Sequence, residues 1–150
     1  MDRVIGYMLT WTTYGTWLQG DERGWVKDGK VMGGNAKLRQ ANASVQKYRT
    51  FRLNKRQKEI VRCGIEEEAE AMGQRIRAIT VCSNHVHMVV EDIDETMGKV
   101  VGRYKKAGSQ ALKRNGSSGK VWTEGYDKRF CHSAREMQNR ITYVEKHDED

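Results

Sequence analysis

The sequence predicts an α+β domain with a mostly antiparallel sheet, and three observations carry that prediction. Short runs of β-branched and aromatic residues alternate with stretches of helical periodicity. Two strand-like runs, 75–82 and 85–90, are separated only by Ser83 and Asn84, so the chain returns on itself as a hairpin. Capping residues mark helix starts at Asn54, at Asp94 or Thr96, and at Ser133. The order along the chain is β, loop, α, β, β, α, β, α.

Residues 4–13 contain Val4, Ile5, Tyr7, Leu9, Trp11, Thr12 and Thr13, a density of strand formers that reads as a central strand. Gly15, Gly20, Gly24, Gly29, Gly33 and Gly34, with Asp21, Asp28 and Asn35, then punctuate a long loop in which Trp17 and Trp25 serve as apolar anchors. Residues 37–48 are weakly patterned and partly helical. Asn54 caps a helix over 54–72 whose apolar stripe is Ile60, Val61, Cys63, Gly64 and Ile65, and Gly73 ends it. A helix running to about Arg114 places Met97, Val100, Val101, Tyr104 and Leu112 inside, with Lys99, Arg103, Lys105, Lys106, Lys113 and Arg114 outside. Residues 115–119 form a loop, and Val121 and Trp122 begin an extended segment to about Cys131. Ser133 with Glu136 matches a capping box and opens a last helix with Met137, Ile141 and Val144 on one face.

Composition narrows the function classes. The chain has 150 residues, 27 Lys and Arg against 20 Asp and Glu, a formal charge of +7, and no proline. One domain over 1–150 is expected, since ~150 residues bury roughly two-thirds of the surface of the unfolded chain. Three cysteines without a CxxC pair point to a reducing, cytoplasmic setting rather than a disulfide scaffold. No run reaches the ~18 apolar residues of a membrane span, and residues 1–5 lack a signal-peptide core. The excess of positive charge makes a polyanion the first partner to consider.

His85 and His87 stand at i and i+2 in a predicted strand, so both imidazoles share a face while Val86, Met88 and Val90 take the other. Two neighbouring imidazoles on a rigid element make a divalent-metal half-site. The plainer alternative is one exposed histidine beside one that completes a hydrogen bond. Tyr143 and His147 stand at i and i+4 on the last helix, opposite its apolar stripe, so a tyrosine and a third imidazole can face one site. An ordinary half-buried tyrosine and a favourable cation at a helix C-terminus are the alternatives there.

The run Ser83-Asn84-His85-Val86-His87-Met88-Val89-Val90, the basic helix after it, residues 122–129 and Tyr143-Val144-Glu145-Lys146-His147 resemble the single-tyrosine HUH transposases of the IS200/IS605 type. The REP-associated tyrosine transposases are close relatives within that resemblance, which also takes in residues 7–18 and 20–26. It implies a ferredoxin-like, RRM-like sandwich with the helices packed on one face of a mostly antiparallel sheet. It further implies Tyr143 as nucleophile, forming a 5′-phosphotyrosine, with His85, His87 and His147 as ligands for Mg²⁺ or Mn²⁺. The family's third ligand, four residues after the tyrosine, is most often Gln or Asn; His147 stands there in this chain.

The implied substrate is single-stranded or hairpin DNA, met by Lys99, Arg103, Lys105, Lys106, Lys113, Lys128 and Arg129, with Trp122 and Tyr126 available to stack on unpaired bases, a core role for Trp122 standing equally open. A homodimer is compatible with the resemblance, and so is a monomer. His132 is a reserve ligand, and Tyr104 is a core residue or a phosphate contact. Two rival expectations are a non-catalytic DNA- or RNA-binding module on the same sheet and a histidine-triad hydrolase, although Val89 stands where a third alternate histidine would be.

Overall fold

The computed structural model describes residues 3–15, 25–27, 30–32 and 51–147. The expected loop from Gly15 to Asn35 therefore lies mostly outside the described residues, as do Trp17, the Trp25 side chain and the partial helix at 37–48. Within that loop the backbone forms a small antiparallel hairpin of β2 (Trp25–Lys27) and β3 (Lys30–Met32). Its sequence signal is the Asp28-Gly29 pair between two short apolar runs, a favoured two-residue hairpin connection.

The main body is β1 (Gly6–Thr12), α1 (Lys55–Met72), β4 (Ile76–Val81), β5 (His85–Glu91), α2 (Met97–Arg114), β6 (Asp127–Cys131) and α3 (Ala134–Lys146). The sheet order is β4-β5-β1-β6, with every neighbouring pair antiparallel. β1 is central, as its composition predicts. Two β-α-β units interleave to give this order, β1-α1-β4 and β5-α2-β6, and α3 is appended after the second. The α+β class and the antiparallel sheet match the expectation.

The placement of the helices differs from it. Leu9, Trp11, Val86, Met88 and Val90 pack with Val61, Ile65, Val100, Tyr104 and Leu112 of α1 and α2. Met8, Val89 and Cys131 pack on the opposite face with Met137, Ile141 and Val144 of α3. Helices thus cover both faces rather than one. The cause lies in β1 and β5, which carry large apolar residues at consecutive positions and must be shielded from water on both sides.

Local chemistry explains where the helices begin and how closely they approach. Asn54 and Gln57 form a reciprocal capping box, with side chain to backbone distances of 2.8 and 2.9 Å, and Gly73 closes α1 at φ 71°. Thr96, rather than Asp94, caps α2. Ser133 caps α3, while the Glu136 carboxylate accepts from His132 N–H at 2.7 Å. A Cβ on Gly64 would meet Ala107 O at 3.0 Å and Ala111 Cβ at 3.2 Å, so a side chain there would require α2 to give by a few tenths of an ångström. Cys63, expected in the apolar stripe of α1, is exposed; the buried positions are Val61, Gly64, Ile65 and Ala69. Among the described residues no helix is long and apolar enough to cross a membrane.

Candidate active site

Strand register builds the floor of the site on the α3 face of the sheet. Thr80 of β4 pairs with His87 of β5, His87 with Thr10 of β1, and Thr10 with Asp127 of β6, one row across four strands. His85 lies two residues along β5, opposite Thr12. Because alternate residues share a face, Thr10, His85 and His87 turn toward α3 while Leu9, Trp11, Val86 and Met88 enter the core beneath.

The roof is the last turn of α3, and β4 holds it down. Thr80 Oγ1 donates to Val144 O at 2.9 Å, and Cys82 Sγ donates to His147 O at 3.2 Å. Val144 O also accepts from the His147 N–H at 3.1 Å, and together these bonds tie the last turn of α3 to β4. Val144 is fully buried, which sets Tyr143 and His147 on the side of the helix away from its apolar stripe.

The four rings expected to act together do come together. Ring centroids are 4.5 Å apart for His85 and His87, 5.0 Å for His87 and His147, 5.8 Å for His87 and Tyr143, and 4.2 Å for Tyr143 and His147. Tyr143 is 45% exposed, whereas Tyr104 is fully buried, its hydroxyl on Gln74 Oε1 and its phenol pushed upward by burial. Tyr104 is a core residue. His132 stacks against Phe130 and lies 3.6 Å from Glu136, so it belongs to a different surface.

Each of the three imidazoles has Nδ1 engaged. His147 Nδ1 donates to Tyr143 O at 2.9 Å, His85 Nδ1 lies 2.6 Å from Asn84 Oδ1, and His87 Nδ1 lies 2.8 Å from Thr10 Oγ1. A carbonyl and an amide oxygen can only accept, and a hydroxyl can, so all three rings can hold their proton on Nδ1 and offer the Nε2 lone pair. Burial first, then the neighbouring His85 and His147, lower the His87 pKa to about 4 against a smaller opposing pull from Asp127. His87 is therefore neutral at neutral pH, the form that binds a metal.

Three neutral imidazoles fit a divalent transition ion in kind and accept Mn²⁺ more readily than Mg²⁺, which favours oxygen donors. Among the described residues, no three His, Cys, Asp or Glu are placed so that they could hold an ion.

The expected DNA contacts divide. Lys99, Arg103, Lys106 and Lys113 are exposed on α2, on the other side of the sheet from Tyr143; Lys99 pairs with Glu95 at 3.7 Å and Arg103 with Glu68. Lys105 corrects its expectation. Its Nζ donates to Thr123 O at 2.9 Å and to Gly125 O at 2.8 Å, and burial lowers its pKa to about 8. It fastens the 123–125 segment instead of facing solvent.

Trp122 is likewise core, edge-on to Trp11 at 6.1 Å with its Nε1 donating to Lys105 O at 2.9 Å, so it cannot stack on a base. Tyr126 packs half-buried against the same core. Lys128 and Arg129 are both exposed on β6, and Arg129 lies 2.9 Å from Asp127 Oδ2 on the site's face. Thr10, Thr80, Asn84 and Asp127 were given no role at the site by the sequence. Strand alternation carried a signal for Thr10, between Leu9 and Trp11, and for Thr80, between Ile79 and Val81.

Four antiparallel strands with two helices on one face and a third on the other are the fold of a transposase domain. The chain belongs to the IS200-like transposase family, whose description matches residues 41–147. A solved REP-associated tyrosine transposase bound to a REP hairpin is similar over 96% of this chain and 67% of its own, at 11% identity and a TM-score of 0.56. A protein of Deinococcus radiodurans solved as a candidate transposase is similar over 100% of this chain and 95% of its own, at 14% identity and a TM-score of 0.47. At 11% identity the likeness to the REP-associated transposase is one of fold. No curated protein matches the chain.

Proposed function

We propose that this transposase-family chain is a metal-dependent single-stranded DNA endonuclease and strand transferase with Tyr143 as its nucleophile. The convergence of an exposed Tyr143 ring with His87 and His147, at 5.8 and 4.2 Å between centroids, is the observation that carries the reading. A tyrosine kept only for packing would turn toward Val144 and Ile141, not away from them.

In the proposed reaction the Tyr143 hydroxyl loses its proton and its oxygen attacks the scissile phosphorus. The bond from phosphorus to the 3′ oxygen breaks, leaving a 5′-phosphotyrosine and a free 3′-OH. Bond energy is kept in the adduct, so attack by another 3′-OH reverses the step and joins strands without ATP. His85, His87 and His147 would hold Mg²⁺ or Mn²⁺ through Nε2, and a bound ion supplies neutralisation of charge on the phosphate. Thr10 and Asn84 fix the rings that face it, and Arg129, anchored by Asp127, offers a charge-assisted contact to the phosphate backbone. The hairpin carried by the solved REP-associated relative supports a structured single strand as substrate, and a cytoplasmic site of action accompanies it.

The test is cleavage of end-labelled single-stranded hairpin oligonucleotides with Mn²⁺. Wild type should release fragments with free 3′-OH ends, while Tyr143→Phe, His85→Ala and His87→Ala should release none. Undiminished cleavage by Tyr143→Phe would refute the assignment. A non-catalytic DNA-binding module would bind the hairpins and cleave none of them.

A further inference from the structure

β6 has two faces, and only one of them belongs to the site described above. Asp127 and Arg129 turn toward Tyr143, whereas Lys128 and Phe130 turn the other way, at the edge of the sheet. Phe130 is 45% exposed; among the described residues it and Tyr143 are the large hydrophobic side chains left open to water. An exposed aromatic on an edge strand invites pairing with other chains unless something covers it.

The ring does not stand alone. Tyr7 lies beneath it at 5.7 Å between centroids, tilted by 53°, and His132 stacks beside it at 6.0 Å and 24°. Lys128 Nζ sits 5.1 Å from the Phe130 centroid and 5.9 Å from that of Tyr7. Lys128 Nζ lies over the ring face, where a cation already draws on the π-system; a base that stacks there takes the place of the ammonium, which then meets the phosphate joined to that base. Duplex DNA hides its base faces, so a single strand fits where a double strand does not. A second copy of the chain needs ~800 Å² on each partner for a stable contact, far more than one ring and its rim provide.

We infer that Phe130, backed by Tyr7 and flanked by Lys128, is a stacking platform for an unpaired base of the single strand handled at Tyr143. The platform rests on the proposed function for its ligand but not for its geometry. A strand crossing the β6 edge would stack on one side of it and meet Arg129 and Tyr143 on the other, so that base stacking sets which nucleotide reaches the nucleophile.

Fluorescence anisotropy with a labelled oligothymidylate, and with the same oligomer made abasic, tests this. Phe130→Leu keeps the apolar bulk and removes the π-face, and should weaken binding of the oligothymidylate about 5- to 100-fold while leaving the abasic strand unaffected. Phe130→Trp should bind at least as well as wild type, and its indole fluorescence should be quenched as the bases stack. Lys128→Gln should flatten the salt dependence by about one phosphate contact, which Phe130→Leu should not do.

Equal affinity of wild type and Phe130→Leu for the oligothymidylate would overturn the platform and leave the reaction at Tyr143 standing. Equal weakening toward both strands would also overturn it, since that is the mark of a distorted edge. A smaller oligomer in Phe130→Leu with unchanged DNA affinity would give the ring to a contact between copies and overturn it too. A wild-type chain that stacks the oligothymidylate at Phe130 yet cleaves no DNA would overturn the reaction and uphold the platform.

Discussion

Acidification should destabilise this protein through His87 in a pH range where most surface groups contribute little. In the folded chain His87 is 8% exposed, surrounded by His85 on its own strand, His147 and Tyr143 on α3, and Asp127 across β1, and its pKa is lowered to about 4. In the unfolded chain it returns to about 6.5. A base with a depressed folded pKa binds more protons when unfolded, so its penalty is absent above pH 6.5 and grows as pH falls toward 4. At 1.36 kcal/mol per pH unit the full effect is about 3 kcal/mol, with about 2 kcal/mol already lost at pH 5.

Guanidinium melts at pH 7.5 and pH 5, on wild type and on His87→Gln, isolate the contribution because glutamine has no proton to gain. Wild type should lose about 2 kcal/mol more of its extrapolated unfolding free energy than the variant between the two conditions. Parallel losses would refute the reasoning, since they would mean that His87 takes up its proton as easily folded as unfolded.

Two further substitutions probe how the site is held. Thr80→Val removes the hydroxyl that donates to Val144 O at 2.9 Å; because His147 N–H still donates to the same carbonyl at 3.1 Å, the expected cost is about 1 kcal/mol, read by thermal melting. Lys105→Met should cost about 2 kcal/mol in the same assay, as two carbonyls lose a charged donor. Lys106→Met, one residue along on the exposed side of α2, should leave the melt unchanged and lower the salt slope of single-strand binding by about one.

How far the sequence could be read depends on which force decides each position. Periodicity and caps located α1, α2 and α3 because burial of an apolar stripe and satisfaction of free N–H groups are local effects, visible at Asn54, Thr96 and Ser133. Strand alternation placed His85 and His87 on one face, and the i, i+4 spacing placed Tyr143 with His147. The convergence of the two pairs was not local. It depends on α3 crossing β5, which follows from Val89 and Met8 needing cover on the second face. Lys105 departs from its expectation for the same reason, and of the two roles open to Trp122 the structure shows the core one. Charge and aromaticity suggested a nucleic-acid surface, but the return of residues 122–125 across α2 turned both inward. Phe130 went unremarked because an exposed aromatic and a buried one look alike in a strand of five residues.

The covalent adduct tests the central claim most directly. Wild-type protein incubated with a single-stranded hairpin and Mn²⁺, digested and mapped by mass spectrometry, should carry a nucleotide phosphate on the peptide containing Tyr143, and Tyr143→Phe should carry none. An adduct on another tyrosine, or one that persists in Tyr143→Phe, would contradict the account.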